Sequence, residues 1–306
     1  TERRGKITVW WPGSKTEMAA INKAKADYTA LYPDVEIEVI GQQTADFYKA
    51  YTLACAGNSA PDIAYVDHVY VQSLAHYSYI ANLSSAGFED LESKFIDTLW
   101  EPGFYNDKLY ALPMSANVLV TAYNKTLVAE AQGVTADNIT LPTDYDSFVA
   151  LAEKISALNA GGDKNNPKYA LTIPAGTNND SMASMSYLAY VNRCGGAGIL
   201  SEDLKTSRLN SPECIEAAKK IYNLGKYSPD VFSEAVFEKG NIGFIEMGPW
   251  KIEDYKKYSA QYGWEVGYTT AIPVTAGGNA GSTIGLYELV VTNKQSDKNK
   301  MALAAD

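Results

Sequence analysis

Apolar and polar positions along the chain change period several times, and each change predicts an element. Residues 6 to 11, KITVWW, form a short apolar strand pattern that ends in two consecutive tryptophans. A strand turns successive side chains to opposite faces, so Trp10 and Trp11 cannot both enter one core, and at least one needs another partner. Ser14 and Glu17 then supply an S-x-x-E capping box, and Met18, Ile21, Lys25, Tyr28 and Leu31 recur at helical spacing, Lys25 through its stem alone. Tyr32-Pro33 ends that helix, and Val35, Ile37 and Val39 alternate as a second strand. Phe47, Tyr51 and Ala54 mark another helix, closed by Gly57-Asn58, and DIAYVD reads as a third strand. This βαβαβ order predicts a parallel α/β sheet.

A second α/β unit is predicted from about residue 116. NVLVTAYN reads as a strand, Phe148, Leu151, Ala152 and Ile155 as one face of a helix, and YALTIP as a further strand. Helices follow around Met182 to Tyr190 and through Ile215, Ala218 and Tyr222. The strand NIGFIEM runs into GPWKIEDYKKY, where Pro249 suits a first helical turn and Trp250 is carried at a helix start. WEVGYTTAIP, a Gly-rich loop, the strand GLYELVV and a helical opening NKMALAAD close the chain. That last pattern stops without a cap, which reads as a C-terminal portion left out.

In open α/β sheets ligands sit outside the carboxyl ends of strands. Trp10, Trp11, Gln42, Gln43 and Asp67 lie at such ends, so one of the paired tryptophans is expected to line a crevice. The 306 residues are 46% hydrophobic and 20% charged, enough for two cores. A formal charge of -10 with no basic block argues against nucleic acid and anionic membrane as partners. The apolar runs are too short to span a bilayer. Cys55, Cys194 and Cys214 have no CxxC spacing, and the two histidines, His68 and His76, offer no zinc site. The cysteines are read as small buried apolar residues in preference to a Cys194–Cys214 bridge. Tyrosine, with 22 residues against 8 phenylalanines, is the compositional outlier and suits polar ligands, since its ring stacks and its hydroxyl hydrogen-bonds.

With these stretches in view, the chain resembles the extracellular solute-binding proteins of ABC importers, in the carbohydrate-binding group typified by maltose-binding protein. KITVWW, YPDVEIEVI, APDIAYVD, NDKLYALPMSANVLVTAYNK, EKGNIGFIEMGPWKI and WEVGYTTAIP, then ELVVTNKQSDKNKMALAAD, carry the resemblance in the family's order. It implies two α/β lobes of periplasmic-binding-protein type, with a hinge and a cleft between them and with the C-terminal helices missing. Crossings are expected near Pro113 to Ser115 and Gly267 to Thr269. Residues 1–115 and 269–306 would then form one lobe and 116–268 the other. It further implies an extracytoplasmic bacterial protein, lipid-anchored or periplasmic and monomeric, that delivers a mono- or oligosaccharide to a membrane permease without a cofactor.

A sugar ring has an apolar face and a polar rim, so its site needs a flat aromatic and fixed polar groups. The stacking candidates are Trp250, Trp10 or Trp11, and Tyr287, the last standing where relatives commonly show a tryptophan. The polar candidates are Ser14, Lys15, Gln43, Asp67, His68, Asn117, Asn178 and Glu288. Each has a plainer reading beside it: Trp250 could plug a core, Asp67 could be an N-cap and Asn178 an ordinary turn residue. Trp100 and Trp264 lack strand-end positions and are read as core. No GxSxG elbow, HExxH, Walker A loop or GxGxxG is present. A glycoside hydrolase is therefore the lesser alternative, and a glycan-capture protein without a transporter is another.

Overall fold

The computed structural model describes residues 3–12, 15–42, 46–174, 180–294 and 297–306. By internal contact the chain forms two units, Thr1–Asn117 with Gly285–Asp306, and Val118–Ile284. Each is described by itself.

In the first unit β1 (Gly5–Trp11), α1 (Lys15–Leu31), β2 (Val35–Gly41), α2 (Phe47–Ala56) and β3 (Ile63–Asp67) follow the predicted βαβαβ order. Both β2 and β3 pair parallel with β1. Next come α3 (Val71–His76), α4 (Asp97–Trp100), the two-residue strands β4 (Phe104–Tyr105) and β5 (Lys108–Leu109), and β6 (Ala111–Val118). The β4–β5 hairpin has no counterpart in the sequence reading. Its turn residues Asn106 and Asp107 both take positive φ, 48° and 59°, a conformation that short polar side chains tolerate.

The second unit opens with β7 (Val120–Asn124), α5 (Lys125–Gln132), α6 (Tyr145–Ala157) and β8 (Tyr169–Leu171). It continues through α7 (Asp180–Arg193), α8 (Pro212–Leu224), α9 (Glu234–Glu238), β9 (Ile242–Met247), α10 (Ile252–Tyr262) and β10 (Val266–Thr269). Its sheet runs β10-β7-β9-β8. Phe148, Leu151, Ala152 and Ile155 of α6 pack with Phe244 of β9 as the periodicity requires. Two expected boundaries move. NVLVTAYN splits at Leu119, so Asn117 lies near the end of β6, in the first unit, and not in the second unit's first strand. Likewise β10 is bonded to β7, so the chain returns at Gly285 and not near Gly267 to Thr269.

The return is made by β11 (Ile284–Val291) and α11 (Lys298–Ala305). β11 enters the first sheet antiparallel to β3, giving the order β2-β1-β3-β11-β6. Alternation then settles the tryptophan pair. Trp10 meets Phe47 and Tyr51 edge-on beneath α2, at centroid distances of 6.3 and 6.4 Å. Trp11, only 1% exposed, belongs to the opposite face with Ile7, Val9 and Tyr65. Trp100 and Trp264 are buried, as read, and all three cysteines are free thiols.

Asp62, 2% exposed, precedes β3 and ties the discontinuous unit together. It accepts hydrogen bonds from the Thr8 backbone N–H (2.7 Å) and hydroxyl (2.9 Å). It also pairs with Lys294 at 2.7 Å and Lys300 at 3.3 Å. Burial alone would raise its pKa, but the lysine and Thr8 donors outweigh it and hold the carboxyl below its ordinary value. A group lowered in this way stabilises the fold above its unfolded pKa and loses that contribution on acidification. Asp62→Ala leaves two lysines facing a buried gap and is expected to cost about 3–5 kcal/mol at pH 7. Urea unfolding of the two proteins at pH 7 checks this, and a loss below about 1 kcal/mol would refute the role given to Asp62.

Candidate ligand-binding site

The carboxyl ends of β1, β2 and β3 lie at one end of the first sheet, and because β11 runs antiparallel, its early residues lie there too. Tyr287 stands opposite Asp67 and Glu288 opposite Val66. On one sheet face this register builds an aromatic column. Trp11 stacks on Tyr65 with centroids 4.1 Å apart and planes 5° from parallel, and Tyr65 stacks on Tyr287 at 4.9 Å and 29°. Tyr65 also hydrogen-bonds through its hydroxyl to Ser115 of β6. Trp11 and Tyr65 are buried, whereas Tyr287 is half-buried and ends the column.

Tyr65 and Ser115 were absent from the sequence-based candidates. The signal for Tyr65 was available: Val9 pairs with Ile63, so two residues on, Trp11 and Tyr65 share a face. Nothing in the local pattern marks Ser115, which depends on where β6 joins the sheet.

Asp67 ends β3 and caps the single 3-10 turn that follows, accepting from the Val69 N–H at 3.3 Å. The N-cap reading of Asp67 thus holds geometrically, and one oxygen also stands 3.0 Å from His68 Nδ1. The same Nδ1 lies 3.0 Å from the Leu286 carbonyl. Two acceptors at 3.0 Å favour the tautomer in which Nδ1 carries the proton and donates over the one in which it accepts from the Leu286 N–H at 3.4 Å. The Asp67 hydrogen bond is the main cause that raises the His68 pKa above 6.5, against the opposing effect of burial.

Glu288 is fully buried, and neither carboxylate oxygen has a hydrogen-bond partner. Burial pushes it up to about 7; His68 works against that rise and Asp67 adds to it. By alternation its side chain shares the face of Val66 and Val290, opposite to Tyr287.

The remaining candidates are dispersed. Ser14, Gln43 and Asn178 lie outside the described residues, and Lys15 opens α1 with its side chain likewise undescribed. Asn117 is half-buried on β6. Trp250 belongs to the second unit, 48% exposed at the end of β9, with its ring lying over Gly248. Trp11 and Glu288 lack the free surface that Tyr287 and Trp250 keep, and Trp10, half-buried like Tyr287, packs against the core under α2. The second unit also holds an apolar cavity between α6, α8 and β9, walled by Phe148, Leu224, Phe244 and Ile272. Its cation, Arg193, is already paired with Glu246 at 2.8 Å and donates to the Gly281 carbonyl. Among the described residues, no cluster of three potential metal ligands occurs and no helix is long and apolar enough to cross a membrane.

These features describe an α/β protein with an aromatic and polar strand end. The chain belongs to the bacterial extracellular solute-binding protein family, whose profile matches residues 23–305. It is 24% identical over 264 residues to a maltotriose-binding protein of Pyrococcus abyssi, covering 85% of this chain and 52% of that one. A multiple sugar-binding protein of Streptococcus mutans is 22% identical, over 97% of this chain and 69% of its own. Among solved structures, a cyclic alpha-maltosyl-1,6-maltose binding protein from Arthrobacter globiformis superposes with a TM-score of 0.79 at 26% identity, covering 99% of this chain and 74% of that one. The first curated relatives are matched over about half their own length, 52% and 49%.

Glu288 and His68 make stability depend on pH in one direction. Both pKa values are raised in the folded state, so the folded protein holds these protons more tightly than the unfolded chain. Their contribution is fully present below the unfolded values and is lost as pH rises through the folded ones, near 7 for Glu288. Glu288→Gln should remove a penalty of about 3 kcal/mol at pH 8 and change little at pH 4. Urea midpoints at the two pH values give the answer, with equal effects of the substitution at both counting against a buried ionisation.

Proposed function

We propose that the chain is the sugar-binding component of an ABC importer, holding an uncharged mono- or oligosaccharide and passing it to a membrane permease. The aromatic column ending in half-buried Tyr287 beside Asp67 carries this reading. It presents a ring for the C–H face of a sugar next to a carboxylate able to accept hydroxyl donors. The names of the relatives point the same way and make α-linked glucose oligomers, with maltotriose first, the class to test. In this reading Asp67, His68, Tyr287 and Asn117 of the first unit meet the sugar, and Trp250 of the second unit is a stacking candidate considered by itself. Trp11 and Tyr65 support Tyr287 from behind, Trp10 fills the core under α2, and Ser14, Lys15, Gln43 and Asn178 stay as loop contacts. The protein acts outside the cytoplasm as a monomer, lipid-anchored or free in the periplasm. The sugar leaves chemically unchanged, because binding and release need no acid–base pair across a scissile bond.

Calorimetric titration with glucose, maltose and maltotriose tests the reading, followed by chromatography of the sugar after long incubation. Saturable binding with intact sugar is expected; hydrolysis that scales with protein, or no binding to any neutral saccharide, would overturn it.

Trp250→Ala should weaken binding tens- to hundreds-fold, on the order of 2–4 kcal/mol, while leaving the urea midpoint nearly unchanged. A half-exposed ring contributes stacking area and little core. Gly248→Ala should do the same by another route, because a Cβ at Gly248 would fall 1.7 Å from the Trp250 ring and displace it. An early-melting Trp250→Ala protein that binds normally would assign the tryptophan to the core.

A further inference from the structure

Buried carboxyls are normally paired or hydrogen-bonded, since an isolated charge in a protein interior is costly. Glu288 breaks that rule on a strand bonded to β3, with 0% exposure and both oxygens unpartnered. The charged groups acting on it are His68 and Asp67, at the adjoining strand end. The elements packed on its face add no charge at neutral pH. From α2 come the Tyr51 phenol and the Cys55 thiol, both raised by burial, and from the 3-10 turn the Tyr70 phenol, also raised. β6 carries no ionisable side chain, and His76, at the end of α3, is hydrogen-bonded to the Tyr105 hydroxyl. The charged groups that act on Glu288 are therefore His68 and Asp67.

We propose that Asp67, His68 and Glu288 form one proton-holding unit, and that sugar binding at this strand end is accompanied by uptake of a proton into it. The inference rests on the sugar-binding reading above and names a regulation of that same site. Its geometry runs from surface to interior, with Glu288 paired to Val66 two residues before His68. The side chains of Asp67 and His68 are 36% and 28% exposed, His68 Nδ1 is fixed between Asp67 and the Leu286 carbonyl, and Glu288 stands two residues along β11 from Leu286. With Nδ1 holding its proton, the exchangeable proton resides on His68 Nε2 or on the Glu288 carboxyl. A neutral sugar covering Asp67 and His68 removes water that screens the unit. With both exchangeable protons lost, that unit carries two negative charges, and desolvation penalises this state most. Binding therefore favours the protonated unit, and by linkage the affinity falls as pH rises. Glu288 is in this sense a positioning residue, acting on the ligand through His68 and Asp67.

The test is calorimetry with maltotriose, titrated into the whole chain at pH 7 in two buffers of different ionisation enthalpy, then across pH 6 to 8. The expected result is uptake of about 0.5 proton per sugar at pH 7 and an affinity about tenfold lower at pH 8 than at pH 6. Glu288→Gln, a neutral amide of the same shape, should show an affinity that varies by less than about twofold over that range, whatever its level. The wild-type buffer comparison requires no variant, so a substitution that fails to fold leaves the test intact. Sugar that binds with the same apparent enthalpy in both buffers overturns the proton linkage and spares the sugar-binding reading. A pH dependence kept in full by Glu288→Gln likewise overturns it. Absence of binding at every pH overturns both.

Discussion

One buried carboxylate, Asp62, joins three parts of the chain that are far apart in sequence. It takes two hydrogen bonds from Thr8 on β1, stands at the entry to β3, and is paired with Lys294 and Lys300 on the segment that returns from the second unit. Because the group is almost without water, its charge is stable only while these donors stay in place. The same returning segment is also held by the Tyr51 hydroxyl on Thr292, at 2.8 Å. β11 can lie beside β3 in one register because both ties hold its far end. That register in turn places Tyr287 opposite Asp67 and seals Glu288 inside. The proposed binding face is thus a downstream result of an ion pair at the opposite end of the strand.

The parts of the fold governed by local pattern were legible in the sequence. Period-two alternation gave β1, β2 and β3, period 3.6 gave α1, α2 and α6, and Pro249 after a strand marked the turn that carries Trp250. Where the pattern was silent, the reason was always pairing partner. NVLVTAYN reads as one strand, yet its two halves join different sheets, and no single residue announces a change at Leu119. WEVGYTT looked like a crossing, but hydrogen bonds to β7 keep it in the second unit. For the site, alternation established that Trp10 and Trp11 diverge, though not which shares a face with Tyr65 and Tyr287. That was decided by the β1–β3 register, which sets Trp11 on Tyr65.

The strand end combines two kinds of chemistry that ordinarily exclude each other. A stacked column of Trp11, Tyr65 and Tyr287 is apolar and dry, while Asp67 and His68 beside it keep contact with water. Alternation along β11 permits the combination, turning Tyr287 to the column and Glu288 to the other face. A ligand with an apolar face and a polar rim suits this division. An anion does not, because the Asp67 carboxylate opposes a second negative charge.

The first unit is discontinuous, with β3 and β11 adjacent in the sheet although the whole of Val118–Ile284 lies between them in the chain. During synthesis, therefore, the second unit emerges entire and is free to close its own core while β3 still offers an unpaired edge. Such an edge is a template for mispairing with any extended segment nearby. Until residues 285–291 leave the ribosome, Val66 and Tyr65 face a vacancy that a second nascent copy could fill. The late arrival of β11 is thus the event that closes the β3 edge.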